Sequence, residues 1–245
     1  MKQLTIGDKL RGGIRRVGAE FRRRVRKDRF MDALVRHLSD TRTSCVIDVG
    51  ANCGQYGLFL RSLGYRGEII SFEPVRESFD ELLDRTLSDP GWKAFPLALG
   101  EVAGEMPINI VPRSDFNSLK EPNDLALREY QGVEPIGTES VQVERLDRVL
   151  PDLLGAPPRS LLLKTDTQGF DLEVLRGAGD LVTAFNGLQA EVSVTPIYKD
   201  VPSLAETLTE YASFGFEPVA FRTFAWSAGK LIEMDGLFRN TRELQ

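Results

Sequence analysis

The run Ser44-Cys-Val-Ile-Asp-Val49, followed by Gly50-Ala-Asn-Cys-Gly54, constrains this chain more than any other segment. The run is short, β-branched and apolar on both faces, as a strand buried inside a parallel sheet must be. Two glycines then allow a sharp turn and close approach of the backbone to a ligand. Tyr56, Phe59, Leu60 and Leu63 recur at helical spacing, and a second apolar run, Gly67–Phe72, closes on Glu73. Strand, glycine turn, helix and strand in this order specify an open parallel sheet covered by helices on both faces.

The same alternation continues along the chain. The pattern predicts a helix over Arg76–Leu87, ended by Asp89-Pro90-Gly91, and a third strand over Trp92–Leu99. Met106–Val111 and Ser140–Arg145 alternate as extra strands would, and the Pro-, Asn-, Ser- and Gly-rich residues 112–138 between them read as a long loop or lid. Ser160–Lys164 is a fourth buried strand, and Phe170–Arg176 a short helix stopped by Gly177. Leu188–Val194 is a fifth strand, Ser203–Phe214 a helix, and Phe216–Phe221 and Leu231–Phe238 two final strands. The expected organisation is a basic helical arm over 1–43 and one α/β domain over 44–245.

Charge separates those two parts. Residues 1–36 hold twelve Lys/Arg against four acids, while the rest holds 19 basic against 32 acidic groups. An acidic body argues against a nucleic-acid partner. No run approaches the roughly 18 apolar residues of a membrane-spanning helix. The basic N-terminus has no apolar segment behind it of the kind a secretory signal needs. Two cysteines, Cys45 and Cys53, predict a reducing, cytoplasmic setting.

In open α/β sheets ligands bind beyond the carboxyl ends of the strands. The first such end, Asp48–Gly54, is neither a dinucleotide fingerprint nor a Walker loop, because Gly50, Gly54 and Gly57 have the wrong spacing and no Gly-Lys-Ser/Thr follows. Glu73, 23 residues after Gly50, is placed to accept hydrogen bonds from both hydroxyls of a ribose. Asp48 suits a positive charge. An adenosine-like ribose with a cationic, amino-acid-like tail describes S-adenosylmethionine.

Val46-Ile-Asp-Val-Gly-Ala-Asn-Cys-Gly-Gln-Tyr-Gly57 and Ile70-Ser-Phe-Glu-Pro74 resemble the class I S-adenosylmethionine-dependent methyltransferases. Leu163-Lys-Thr-Asp-Thr-Gln-Gly-Phe-Asp-Leu-Glu-Val-Leu-Arg-Gly-Ala178 and Gln189-Ala-Glu-Val-Ser193 narrow the resemblance to the FkbM family, with Pro196-Ile-Tyr198 also similar. It implies a Rossmann-like, seven-stranded, mostly parallel sheet with an antiparallel last strand. It also implies O-methylation of a hydroxyl on a sugar, glycolipid or related secondary metabolite. The cofactor contacts expected are Asp48, Gly50, Ala51, Asn52, Gly54, Tyr56, Glu73, Pro74, Ala98 and Asp166. The chain departs from the family pattern at Gln168 and Asp171, where the family usually has Glu.

Methyl transfer is an in-line displacement that depends on positioning, and the acceptor hydroxyl must still lose its proton. The single histidine, His37, lies among Leu34, Val35 and Leu38 and reads as a packed helix flank. Asp166, ending the fourth strand, and Glu191, in the fifth, are the candidate bases, with Lys164 a partner for Glu191. The same two acids could instead hold Mg²⁺. The acceptor should meet residues 112–138 and Thr195–Tyr198, with Phe116, Tyr130, Tyr198 and Trp226 able to stack on a sugar or touch lipid. The competing functions are a nucleic-acid or protein methyltransferase and a non-catalytic module. Against the former, Thr165-Asp-Thr-Gln168 stands where an N-P-P-Y-like element would be; against the latter, Asp48, Gly50, Gly54 and Glu73 are intact. In the arm, Ile14, Val17, Phe21 and Val25 make an apolar stripe among arginines, which predicts either attachment of residues 11–30 to an anionic membrane surface or packing of the stripe on the sheet or on a second subunit of a homo-oligomer.

Overall fold

The computed structural model describes residues 28–154 and 160–242. Helix α1, Arg29–Asp40, begins where the Asp28 carboxylate accepts hydrogen bonds from the amides of Phe30 and Met31. Strand β1, Cys45–Val49, leads through the glycine turn into α2, Gln55–Leu63, and β2, Glu68–Phe72. Helix α3, Arg76–Thr86, connects to β3, Trp92–Phe95. The expected strand to Leu99 is therefore broken. Pro96 carries no amide proton for a sheet ladder, and Ala98–Leu99 forms a separate short strand, β4.

Strands β5, Gly104–Ile110, and β6, Gly137–Glu144, pair antiparallel and take up β4 as a three-stranded side sheet. Residues 112–138 are more ordered than a loop. They contain a 3₁₀ turn over Ser114–Phe116 and α4, Asp124–Glu129, whose amides are capped by Asn123. Ala126 and Val133 bury against Ile197, Tyr198 and Ile232, and the Asn123 amide donates to the Ile197 carbonyl at 2.9 Å. The segment is pinned to the domain at several points.

Helix α5, Leu146–Leu154, was hidden from the sequence pattern by Pro151 within it. A proline interior to a helix forgoes one hydrogen bond, and burial of Leu146 and Leu150 on the sheet outweighs that loss. Strand β7, Leu161–Thr165, is followed by α6, Asp171–Arg176, a second 3₁₀ turn, β8, Phe185–Ser193, and α7, Leu204–Ser213. Ser203 and Glu206 cap α7 reciprocally. The final hairpin, β9 over Phe216–Ser227 and β10 over Lys230–Asn240, is longer than expected. Its two-residue turn places both Ala228 and Gly229 at positive φ, as a tight hairpin turn requires. Alanine is not the residue that usually signals such a turn.

The main sheet runs β3-β2-β1-β7-β8-β10-β9. All pairings are parallel except those of β10, which enters antiparallel between β8 and β9. Both faces are covered, following the period-two alternation of strand side chains. Val46, Ile69, Leu162 and Leu237 pack under α1, α2 and α3. Cys45, Ile47, Val49, Leu161, Leu163 and Leu188 pack under α5, α6 and α7. The fold is the expected one. Both cysteines are unpaired thiols. No described helix is long and apolar enough to cross a membrane.

Candidate active site

Where β1, β2, β7 and β8 end, the sheet opens into a cavity of about 450 Å³. Its shape starts with the first turn. The amides of Gly50 and Ala51 both donate to the Phe72 carbonyl, at 3.0 and 3.1 Å, which folds the turn over the end of β2. Gly50 has φ +72°, and a Cβ there would lie 2.0 Å from the carbonyl oxygen of Asp166. Its glycine is thus demanded by the neighbouring backbone before any ligand is considered. Gly54 does not line the cavity; a Cβ there would press on Leu82 and Trp92, so it serves the packing of α2.

Asp48 is also placed differently from expectation. It is fully buried, and the cavity wall does not include it. Across four adjacent strands the register aligns Ser71, Asp48, Lys164 and Gln189 in one row. Lys164 Nζ stands 2.9 Å from Asp48 Oδ1, Ser71 Oγ donates to Asp48 Oδ2 at 3.1 Å, and Trp92 Nε1 donates to Ser71 Oγ at 3.0 Å. Lys164 Nζ also donates to the Gly50 carbonyl at 3.1 Å and lies 3.7 Å from Asp166. Burial opposes the ammonium charge, yet Asp48 and then Asp166 hold its pKa above the ordinary lysine value. A buried charge without a partner is too costly to keep. Asp48 therefore supports the turn through Lys164 instead of facing a ligand, and Lys164 pairs with Asp48, not with Glu191.

At one end of the cavity stands Glu73. Its Oε2 accepts from the Asn52 amide at 2.8 Å and its Oε1 from the Val75 amide at 2.9 Å. Each oxygen keeps a further lone pair for a ligand. Burial pushes its pKa up to about 7, against the pull of those two amides. Gly50, Ala51, Asn52, Tyr56, Pro74, Ala98 and Asp166 line the same cavity. The Tyr56 hydroxyl donates to Gln189 Oε1 at 2.7 Å, which fixes the ring on the wall.

At the other end Gln168 organises the acids. Its Nε2 donates to Glu191 Oε2 at 2.8 Å and to Asp166 Oδ1 at 3.1 Å. The Tyr198 hydroxyl donates to Gln168 Oε1 at 2.8 Å, and Ser118 Oγ to the Gln168 carbonyl at 2.7 Å. Gln168 is held at φ +54°, a conformation that costs a residue with a side chain of order 1–3 kcal/mol. Burial, then the neighbouring charges of Asp166 and Glu233, raise the Glu191 pKa well above the usual carboxylate range. Nothing in the spacing of residues 168 and 191 shows that they meet, so this amide hub is not visible in the sequence. Asp171, the other departure, is buried at the start of α6, with its pKa pushed to about 6 by burial, and does not line the cavity.

The donor set does not fit Mg²⁺. An amide NH₂ occupies the space between Asp166 and Glu191, and its protons point at the oxygens a cation would need. Among the described residues no group of three or more His, Cys, Asp or Glu side chains could hold a metal. His37 lies at the opposite end of the strands, buried, with Nε2 2.9 Å from Asn186 Oδ1, and burial lowers its pKa. It packs and does not line the site.

Residues 48–218 match the methyltransferase FkbM domain. The chain belongs to that family. This FkbM chain is 31% identical over 160 residues to methyltransferase sdnD of Sordaria araneosa, covering 55% of this chain and 60% of the relative. It is 25% identical over 157 residues to hexuronic acid methyltransferase AglP of Haloferax volcanii, covering 64% and 59%. The FkbM chain thus spans about 60% of the length of these relatives. Among solved structures it is similar to magnesium protoporphyrin IX methyltransferase of Synechocystis PCC 6803, at 12% identity and a TM-score of 0.44 over 98% of this chain and 86% of that one.

Proposed function

We propose that the cavity binds S-adenosylmethionine and that the chain transfers its methyl group to a hydroxyl of a sugar, glycolipid or related secondary metabolite. The observation that carries this reading is the arrangement of the cavity. A buried carboxylate, Glu73, is fixed by two backbone amides at one end, and a joined pair of carboxylates, Asp166 and Glu191, stands at the other. Glu73 suits the ribose hydroxyls, the backbone of Gly50–Asn52 suits close approach of the nucleoside, and Asp166 suits the cationic tail. When bound, the cofactor supplies an electrophilic methyl group on a sulfonium. Glu191 Oε1 has no partner among the described hydrogen bonds and is free to take the acceptor's hydroxyl proton, leaving the O–H electron pair on the attacking oxygen. A carboxylate with a raised pKa is a stronger base at neutral pH than an ordinary one. Gln168 keeps Glu191 and Asp166 together without adding charge. A sugar-type acceptor is supported by the relative named for hexuronic acid, and the hydroxyl as the methylated group by the resemblance to the family. Other acceptors, including nucleic acid or protein, form the second reading, which the acidic body disfavours.

The test is mass spectrometry of the purified protein for S-adenosylmethionine or S-adenosylhomocysteine, followed by transfer of a labelled methyl group to hydroxyl-bearing acceptors. Turnover should survive a chelator, since no step uses a metal; loss under chelation with recovery on adding Mg²⁺ would contradict the carboxylate mechanism. Glu73→Ala removes charge-assisted hydrogen bonds worth about 1.5–3 kcal/mol, so the cofactor should bind roughly 10–150-fold more weakly. Because the Glu73 pKa is raised to about 7, affinity should climb as pH rises through that value and the carboxylate loses its proton. The stability of the empty chain should run the other way. A carboxyl that holds its proton more tightly when folded stabilises the fold fully below its ordinary 4.5, and this contribution is lost as pH rises through about 7.

A further inference from the structure

Beyond Glu191 the sheet carries a second row of polar side chains. The register places Asp235 of β10 opposite Glu191 of β8, and Arg222 of β9 opposite Asp235. Residues directly opposite in antiparallel strands share a face, so the three side chains stand side by side, and all three line the cavity. Neighbouring strands lie about 4.8 Å apart, which puts β10 four spacings, roughly 19 Å, from β2 and Glu73. A ribose held on Glu73 is too far away to touch this pair. Arg222 Nε donates to Asp235 Oδ2 at 2.9 Å, and Nη2 donates to the same oxygen. A guanidinium and a carboxylate often meet through two parallel bonds, one to each oxygen. Here Asp235 Oδ1 has no partner among the described hydrogen bonds. Nη1, with two protons, makes a weak contact with Met31 Sδ at 3.7 Å and stands 4.0 Å from Asp28 Oδ2. The Phe30 ring covers one face of the guanidinium, and half-buried Met31, Tyr56 and Phe59 of α1 and α2 add an apolar wall. The arm's apolar stripe, with Ile14, Val17, Phe21 and Val25, lies outside the described residues.

We infer that Arg222 and Asp235 form the acceptor subsite, and that its ligand is a neutral polyol presenting two adjacent hydroxyls. One hydroxyl donates to Asp235 Oδ1 while its neighbour accepts from Arg222 Nη1. The apolar wall takes the carbon face of the ring, as in other pockets where a few polar groups fix the orientation of a ligand held by apolar contact. Because Asp235 stands opposite Glu191, a further hydroxyl of the same molecule comes to the base. Charge selects the neutral class. Asp115, Asp166 and Glu191 line the cavity as well, and the other cation on its wall, Lys164, is spent on Asp48. An acceptor carboxylate would have to displace Asp235 from Arg222 and then stand among these acids, and repulsion of that kind is how a site rejects the wrong partner. The assignment rests on the hydroxyl-methylation reading, since it needs Glu191 to face the reacting hydroxyl.

The probes are methyl α-D-mannopyranoside, methyl α-D-glucopyranoside and methyl β-D-glucuronide, titrated into the full chain and followed by saturation-transfer NMR with and without S-adenosylhomocysteine. Calorimetry of S-adenosylhomocysteine alone reports the cofactor, so the two readings can fail separately. The wild-type chain should bind the neutral glycosides more tightly than the glucuronide. Arg222→Lys, which loses the Nη1 donor, should weaken the neutral glycosides roughly 10–150-fold, the range of a hydrogen bond to a charged group. Asp235→Asn should invert the preference, because Arg222 is then open to the glucuronide carboxylate; a pair that merely braced the hairpin would show no such inversion. Affinity for S-adenosylhomocysteine should stay within a few-fold in both variants. The double variant Arg222→Gln with Asp235→Asn leaves neither charge unpaired and should lose the distinction between neutral and acidic probes, which keeps the test open if a single variant unfolds. Glycoside selectivity without S-adenosylhomocysteine binding would uphold the polyol subsite and remove the methyl-donor reading. Wild-type preference for the glucuronide, no binding of any probe by the folded chain, or unchanged neutral-glycoside affinity in the variants overturns the inference. So does an equal loss of S-adenosylhomocysteine binding, which would give Arg222 to the cofactor.

Discussion

Glu191→Gln should lower turnover by roughly 10²–10⁴-fold at saturating cofactor while leaving cofactor affinity within a few-fold, the range a positioned general base contributes. The carboxamide keeps the shape and the contact with Gln168 Nε2 can be re-formed through its carbonyl oxygen, but it cannot take a proton. Asp166→Asn should lose less in turnover and more in affinity, since Asp166 stands beside the Gly50 turn and is 3.7 Å from Lys164. The pH profile separates base from bystander. With the Glu191 pKa raised by burial and by Asp166, turnover should rise with pH along a limb lying above the ordinary carboxylate range. Gln168→Glu adds a third negative charge to the pair, which should push that limb to still higher pH. An unchanged profile in Gln168→Glu, or near-normal turnover in Glu191→Gln, would remove Glu191 from the role of base.

Lys164→Met should cost about 3–5 kcal/mol of stability, because it leaves Asp48 buried with Ser71 as its remaining hydrogen-bond donor. For a chain of this length that corresponds to a fall in Tm of roughly 6–20 °C. The double variant with Asp48→Asn should lose much less than the sum of the two single changes, since the uncompensated charge is then gone. Additive losses in thermal unfolding would mean that the two side chains do not form the pair that supports the turn.

The first strand, its glycine turn and Glu73 were legible because each carries a local signal: an apolar run too short for a helix, φ-permissive residues, and an acid closing a strand. The meaning of Asp48 was not legible. Its partner lies 116 residues away, and only the register of β1 against β7 brings the two together. Gln168 looked like a departure from a pattern, and its use as a neutral bridge depends on β8 delivering Glu191 beside it. Gly50 signals a sharp turn and close approach to a ligand in the sequence, while its tightest neighbour is the Asp166 backbone. The break at Pro96 and the helix across Pro151 failed for a common reason. Proline marks a lost hydrogen bond, and what the chain does about that loss is decided by tertiary packing.

We propose that this cavity is built for S-adenosylmethionine, with Glu73 on the ribose. Isothermal titration of the wild-type chain and of Glu73→Ala with S-adenosylhomocysteine, at a pH where Glu73 is ionised, tests it most directly. One equivalent is expected to bind per wild-type chain, with at least tenfold weaker binding by the variant. No binding by the folded wild-type chain, or equal affinity in the two proteins, would contradict it.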